Sequence, residues 1–93
     1  MEIAQKDDGR RGEFYIEDQG EKIAQMTYVW AGPHKIIIDH TEVSPVMKGK
    51  SIGSQLVKRA VDFAREKQIK ILPLCPFAKK VFDKTSEYQD VLF

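Results

Sequence analysis

At Val43 the chain stops alternating like a strand, and within ten residues it repeats like a helix. Between the two lies Val43-Ser-Pro-Val-Met-Lys-Gly-Lys-Ser-Ile-Gly53, a short basic turn that contains glycine. This switch of period constrains the fold more than any other feature, because a strand feeding an amphipathic helix through so short a turn lays that helix back on its own sheet. The turn also carries chemistry. The first turn of a helix leaves backbone N–H groups without intrahelical partners at the positive end of the helix dipole, and such groups hold anions. The sequence thus predicts a phosphate site over about Lys48 to Ser54, with Lys48 and Lys50 adding charge-assisted contacts. The plain alternative is a surface turn in which Ser51 caps the helix.

Upstream, polar breaks at Asp7-Asp-Gly9, Gln19-Gly20 and Gly32-Pro33 separate segments rich in β-branched and aromatic residues, the pattern of successive hairpins. Three antiparallel strands are expected, at Phe14–Ile16, Ile23–Trp30 and Lys35–Val43, and a possible initial strand near Glu2 to Gln5 carries a weaker signal. Ile36-Ile-Ile38 in a row predicts a central strand with both faces covered. Downstream, Ile52, Leu56, Ala60 and Phe63 or Ala64 fall at helical spacing, giving a helix of about four turns from Ser51. A strand over Ile69–Leu74 follows, and strand, helix and strand form a crossover that makes the outer strands parallel. Pro73 requires this strand to lie at an edge or to leave its neighbour there. Pro76 suits the first position of a short helix over Pro76–Lys84, with Phe77, Val81 and Phe82 inward, and the apolar tail docks. The fold class is therefore α+β: an antiparallel meander, a strand-helix-strand crossover with a parallel pair, and a short C-terminal helix.

With 93 residues, the chain is expected to form one domain, 1–93, around one core. A net charge of +1 argues against nucleic acid as the partner, which needs a basic excess on one face. No apolar run approaches the ~20 residues that span a bilayer, and the polar start does not read as a signal peptide, so the expected location is cytoplasmic. A lone cysteine, Cys75, leaves no internal disulfide and no multi-cysteine zinc site. His34, Asp39, His40 and Glu42 lack a metal-ligand spacing, and no metal is expected.

Lys48-Gly-Lys-Ser-Ile-Gly53, after a strand and before a helix, resembles the acyl-CoA pyrophosphate loop of the GNAT N-acetyltransferases, Gln/Arg-x-x-Gly-x-Gly/Ala, with Lys48 at the Gln/Arg position and Ser51 at the first glycine of that pattern. His40-Thr-Glu-Val43, Leu74-Cys-Pro-Phe77 and Ser86-Glu-Tyr-Gln-Asp90 extend the resemblance to small single-domain GNAT-like acetyltransferases of the YjdJ type, over nearly all of the chain from about Phe14. The resemblance implies a minimal GNAT-like fold that binds acetyl-CoA or coenzyme A between two splayed parallel strands and transfers acetyl to an unidentified amine. It implies cofactor contacts from Thr41, Val43, Lys48, Gly49, Lys50, Ser51, Ile52, Gly53, Ser54, Cys75 and Phe77.

Two side chains are candidates for the chemistry. Cys75 sits at a strand end just before Pro76 opens a helix, a setting in which reactive thiols are found, although cysteine also packs as a small buried hydrophobe. In the implied geometry it lies near the thioester, where it would carry the acetyl group or form a mixed disulfide with coenzyme A. His40, on the strand entering the turn, is either a structural histidine or a general base, with Asp39 and Thr41 expected on the opposite face. The alternatives to an acetyltransferase are a coenzyme A-binding or thiol-redox-sensing module without turnover, and an interaction domain that has lost the ligand.

Overall fold

The computed structural model describes residues 2–47 and 49–93. Five strands form one sheet in chain order: β1 (Ala4–Asp7), β2 (Arg11–Asp18), β3 (Glu21–Trp30), β4 (Lys35–Val43) and β5 (Lys70–Pro73). The first four pair antiparallel, and β5 runs parallel to β4 after the crossover helix α1 (Ile52–Lys67). Helix α2 (Pro76–Lys84) and a 3-10 segment at Ser86–Val91 complete the chain. The α+β layout is the expected one, and β4 and α2 have the expected bounds. The weakly signalled first strand is a full member of the sheet, set slightly later than the sequence suggests.

The core lies between one face of the sheet and the helices. Leu56, Val57, Ala60, Val61 and Ala64 of α1 are fully buried, as their spacing requires, in one cluster with Phe14, Met26, Tyr28, Ile36 and Ile38. Ala78, Val81 and Phe82 of α2 join the same cluster. The triple isoleucine is therefore covered on one side only, with Ile36 and Ile38 buried and Ile37 partly exposed. Phe77 also departs from the expected inward orientation. It is 41% exposed, because it stands against the start of α1 rather than beneath α2.

Pro73 marks where the parallel pair ends. It is the last β5 residue in register, opposite Ile38, and the Ile38 carbonyl then accepts from both Leu74 N–H and Cys75 N–H at 3.0 Å. Beyond that point β4 continues to Val43 with no strand paired on this side among the described residues. The tail docks on the outer edge of β5 through a bridge between Ile71 and Leu92 and a 2.8 Å bond from Phe93 N–H to the Ile71 carbonyl, which closes an edge that would otherwise stay open.

A bulge in β4 corrects the expected alternation. Tyr28 pairs with Ile38 and Thr27 with His40, leaving Asp39 as the extra residue. Asp39 accepts a 2.6 Å bond from the Thr27 hydroxyl, so it lies with His40 on the outer face, away from the helices. Thr41 returns to the helix side, opposite the buried Met26. At the N-terminal end, the buried Tyr28 hydroxyl donates to Asp7 at 2.6 Å and accepts from Gln5 at 2.8 Å. Burial, followed by the Asp7 carboxylate, pushes this phenol well above its ordinary pKa. Among the described residues, no helix is long and apolar enough to cross a membrane.

Candidate functional site

Where β4 outruns β5, a cleft of about 350 Å³ opens between the strand, the turn and the two helix starts. Thr41 and Val43 line it from β4, Met47, Gly49 and Ser51 from the turn, Ile52, Gly53 and Ser54 from α1, and Phe77 from α2. Most of the residues singled out in the sequence are thus brought together. Lys50 is exposed and is not among the lining residues, and Lys48 lies outside the described residues. Met47 is the addition that the sequence reading missed. It is buried by the 3-10 turn Pro45–Met47, and its only local signal is an apolar residue in a basic stretch.

The turn exposes its amides for a specific reason. Ser51 precedes α1 with φ +55°, the left-handed conformation that suits glycine, and its hydroxyl makes no capping bond. Its carbonyl accepts from Gln55 N–H at 3.1 Å, but the first N–H groups of α1 receive no side-chain acceptor from it, and no acidic residue occupies the first turn. The capping bond of the plain-turn alternative is therefore missing. Ser51→Gly is expected to raise stability by about 1 kcal/mol, because it relieves the left-handed strain, while the loss of a hydroxyl from the cleft lining is read separately as any change in ligand affinity. Urea denaturation beside a binding titration checks this, and a loss of stability would contradict the strain.

The strand wall is equally open. Ser44 N–H donates to the Ile23 carbonyl at 2.8 Å, so alternation turns the main-chain groups of Thr41 and Val43 away from β3 and toward the cleft. Opposite them, a Cβ at Gly53 would lie 2.4 Å from Phe77 Cζ, which shows how closely that ring covers the first turn of α1. Val43, Met47, Ile52 and Phe77 give the cleft apolar walls, and Thr41, Ser51 and Ser54 are its hydroxyl-bearing lining residues, a combination suited to a long ligand with an anionic end.

The two candidate reactive groups sit differently. Cys75 is the residue before α2 and is buried, with its thiol 3.4 Å from the Thr41 hydroxyl, so it touches the cleft through Thr41. His40 is exposed on the outer face, with Nε2 3.4 Å from a Glu42 carboxylate oxygen, and does not line the cleft. Lys79 pairs with Asp83 at 3.3 Å on the surface of α2.

The profile of the GCN5-related N-acetyl-transferase family matches residues 13–91. Human protein NATD1 is 31% identical over 74 residues, which are 78% of this chain and 66% of the relative, so the chain spans just under two thirds of that protein's length. The solution structure of a GCN5-like N-acetyltransferase candidate from Staphylococcus aureus has 39% identity and a TM-score of 0.78, covering 99% of this chain and 87% of that one. A predicted acetyltransferase from Clostridium acetobutylicum, crystallised with acetyl-CoA, shares the fold at 22% identity and a TM-score of 0.64, covering 80% of this chain and 55% of that one.

Proposed function

The chain belongs to the GCN5-related N-acetyltransferase family, and from that premise we propose that it binds acetyl-CoA in the cleft and transfers the acetyl group to an amine. One observation carries the proposal: the uncapped start of α1 and the unpartnered edge of β4 open into the same apolar-walled space. Acetyl-CoA supplies a thioester, an acyl carbonyl activated toward a nitrogen nucleophile. The amides of Ile52, Gly53 and Ser54 hold the pyrophosphate, aided by the helix dipole. Main-chain groups of Thr41 and Val43 pair with the amides of the pantetheine arm as an added strand would, and Phe77 and Met47 exclude water from its sides. Cys75 is buried behind Thr41, whose hydroxyl its thiol contacts, next to the point where the strands part.

A second reading, a coenzyme A-binding or thiol-sensing module without turnover, draws support from one fact: Cys75 is buried and His40 faces the other side of the sheet, so neither candidate reactive group lines the cleft. Two measurements separate the readings. Thermal shift with millimolar coenzyme A reports binding, since a ligand well above its dissociation constant stabilises the fold by a few kcal/mol (about 2.7 at a hundredfold excess). Release of free thiol from acetyl-CoA with added amines reports turnover, and intact mass shows any acetyl or coenzyme A on Cys75. Binding with amine-dependent thiol release is expected. Binding without it favours the module, and no thermal shift at all removes both.

A further inference from the structure

Away from the coenzyme cleft, we infer that the β5 edge is an interface between two copies of this chain, related by a two-fold axis that sets their α2 helices antiparallel. A hollow of about 300 Å³ opens there between β5, α2 and the docked tail. Leu72 and Pro73 of β5, Phe82 of α2 and Leu92 of the tail give it apolar walls. Leu74 and Phe93 line it too, and they are 61% and 65% exposed. Two of the four large apolar side chains exposed among the described residues therefore meet at one spot, outside the cleft that Phe77 lines. A surface that covers this patch removes both from water at once. Strand addition is not how the edge is covered, because Phe93 N–H already takes the Ile71 carbonyl and Pro73 has no N–H to offer. The partner has to pack side chains into the hollow.

Charge identifies that partner. Lys79 and Asp83 both line the hollow from α2, four residues apart, and pair with each other at 3.3 Å on an exposed surface. A rim of one sign would call for a partner of the other sign, but this rim carries both signs one helical turn apart. In a two-fold interface residue i of one copy meets residue j of the other, and j meets i. Antiparallel α2 helices therefore set Lys79 of each copy opposite Asp83 of the other, so that both ion pairs form together. The patch is complementary to itself in shape as well, since projecting side chains and the hollow belong to the same surface. The hollow is lined by eight residues, fewer than the ~20–30 a side of a standard interface, so the dimer is expected in the micromolar range.

The test is sedimentation of the intact chain from about 1 µM to about 1 mM, where the mass is expected to pass from monomer to dimer. Lys79→Asp and Asp83→Lys each leave a rim of one sign that faces its own copy across the axis, and each is expected to weaken the dimer about tenfold or more. Mixed in equal amounts, the two variants are expected to recover the dimer as a mixed pair, because each then meets the opposite sign. Both variants lose the same ion pair within α2, so an effect on the helix alone cannot produce recovery on mixing. Leu74→Ser, at an exposed position, is expected to weaken the dimer by a similar factor without changing the melting of the dilute monomer. A chain that stays monomeric throughout leaves the hollow to some other partner and overturns the inference. So does a dimer indifferent to all three variants, a pair of charge variants that fails to recombine, or a mass that keeps growing past the dimer, which marks a contact without two-fold closure.

Discussion

Gly53→Glu is expected to abolish coenzyme A uptake while the chain still folds. The new Cβ would lie 2.4 Å from Phe77 Cζ and 2.6 Å from Cε2, so the ring has to move. It can do so, because Phe77 is 41% exposed and can swing toward solvent. The stability cost is therefore that of moderate overpacking, about 1–2 kcal/mol. Binding suffers much more. The displaced ring no longer walls the cleft, and the carboxylate stands in front of the amides proposed to take the pyrophosphate. Two like charges at about 5 Å in a partly desolvated site repel by roughly 3 kcal/mol, a loss on the order of a hundredfold in affinity. Gly53→Ala separates the parts, since it keeps the steric displacement without the charge and is expected to lose less. Calorimetric titration of coenzyme A into each folded variant decides the matter. Unaltered affinity in Gly53→Glu would place the ligand somewhere else.

The turn that this substitution attacks was legible in the sequence because its signals are local. A change of period, two lysines, two glycines and a proline-free helix start all lie within eleven residues, and they lead to the residues that line the cleft. Pro76 with Val81 and Phe82 likewise delimited α2, since a proline at the first helical position and apolar spacing act over one turn. The features that escaped depend on distant partners. The bulge at Asp39 is a property of the register between β3 and β4, and nothing in Lys35–Val43 alone shows that one residue is surplus. Strict alternation consequently put Asp39 and His40 on opposite faces. Phe77 has helical spacing with Val81, yet it covers Gly53 of another helix, a contact that only the tertiary packing creates. Met47 belongs to the same class, as an apolar residue in a turn whose burial is decided by the strand and helix on either side.

Gly12 is the other glycine whose missing side chain matters, and here the neighbour cannot yield. A Cβ on Gly12 would lie 2.3 Å from Tyr28 Cζ, 2.4 Å from its hydroxyl oxygen and 2.7 Å from Cε1. Tyr28 has no exposed surface, and its ring is packed by Phe14 at 5.3 Å, Phe63 at 6.1 Å and Trp30 at 6.4 Å between centroids. Its hydroxyl is tethered to Asp7 and Gln5 as well. The methyl that Phe77 could accommodate by swinging out must here push apart a closed aromatic cluster or bend β2. Gly12→Ala is therefore expected to cost about 3 kcal/mol, the upper end of overpacking, and to lower Tm by on the order of 10–20 °C. Tyr28→Phe in the same background removes one of the three close contacts, so the double variant should lose less than the sum of the two single losses. Thermal melts of the four proteins measure that coupling. A Gly12→Ala chain melting within about 2 °C of the parent would mean that β2 yields where the packing says it cannot.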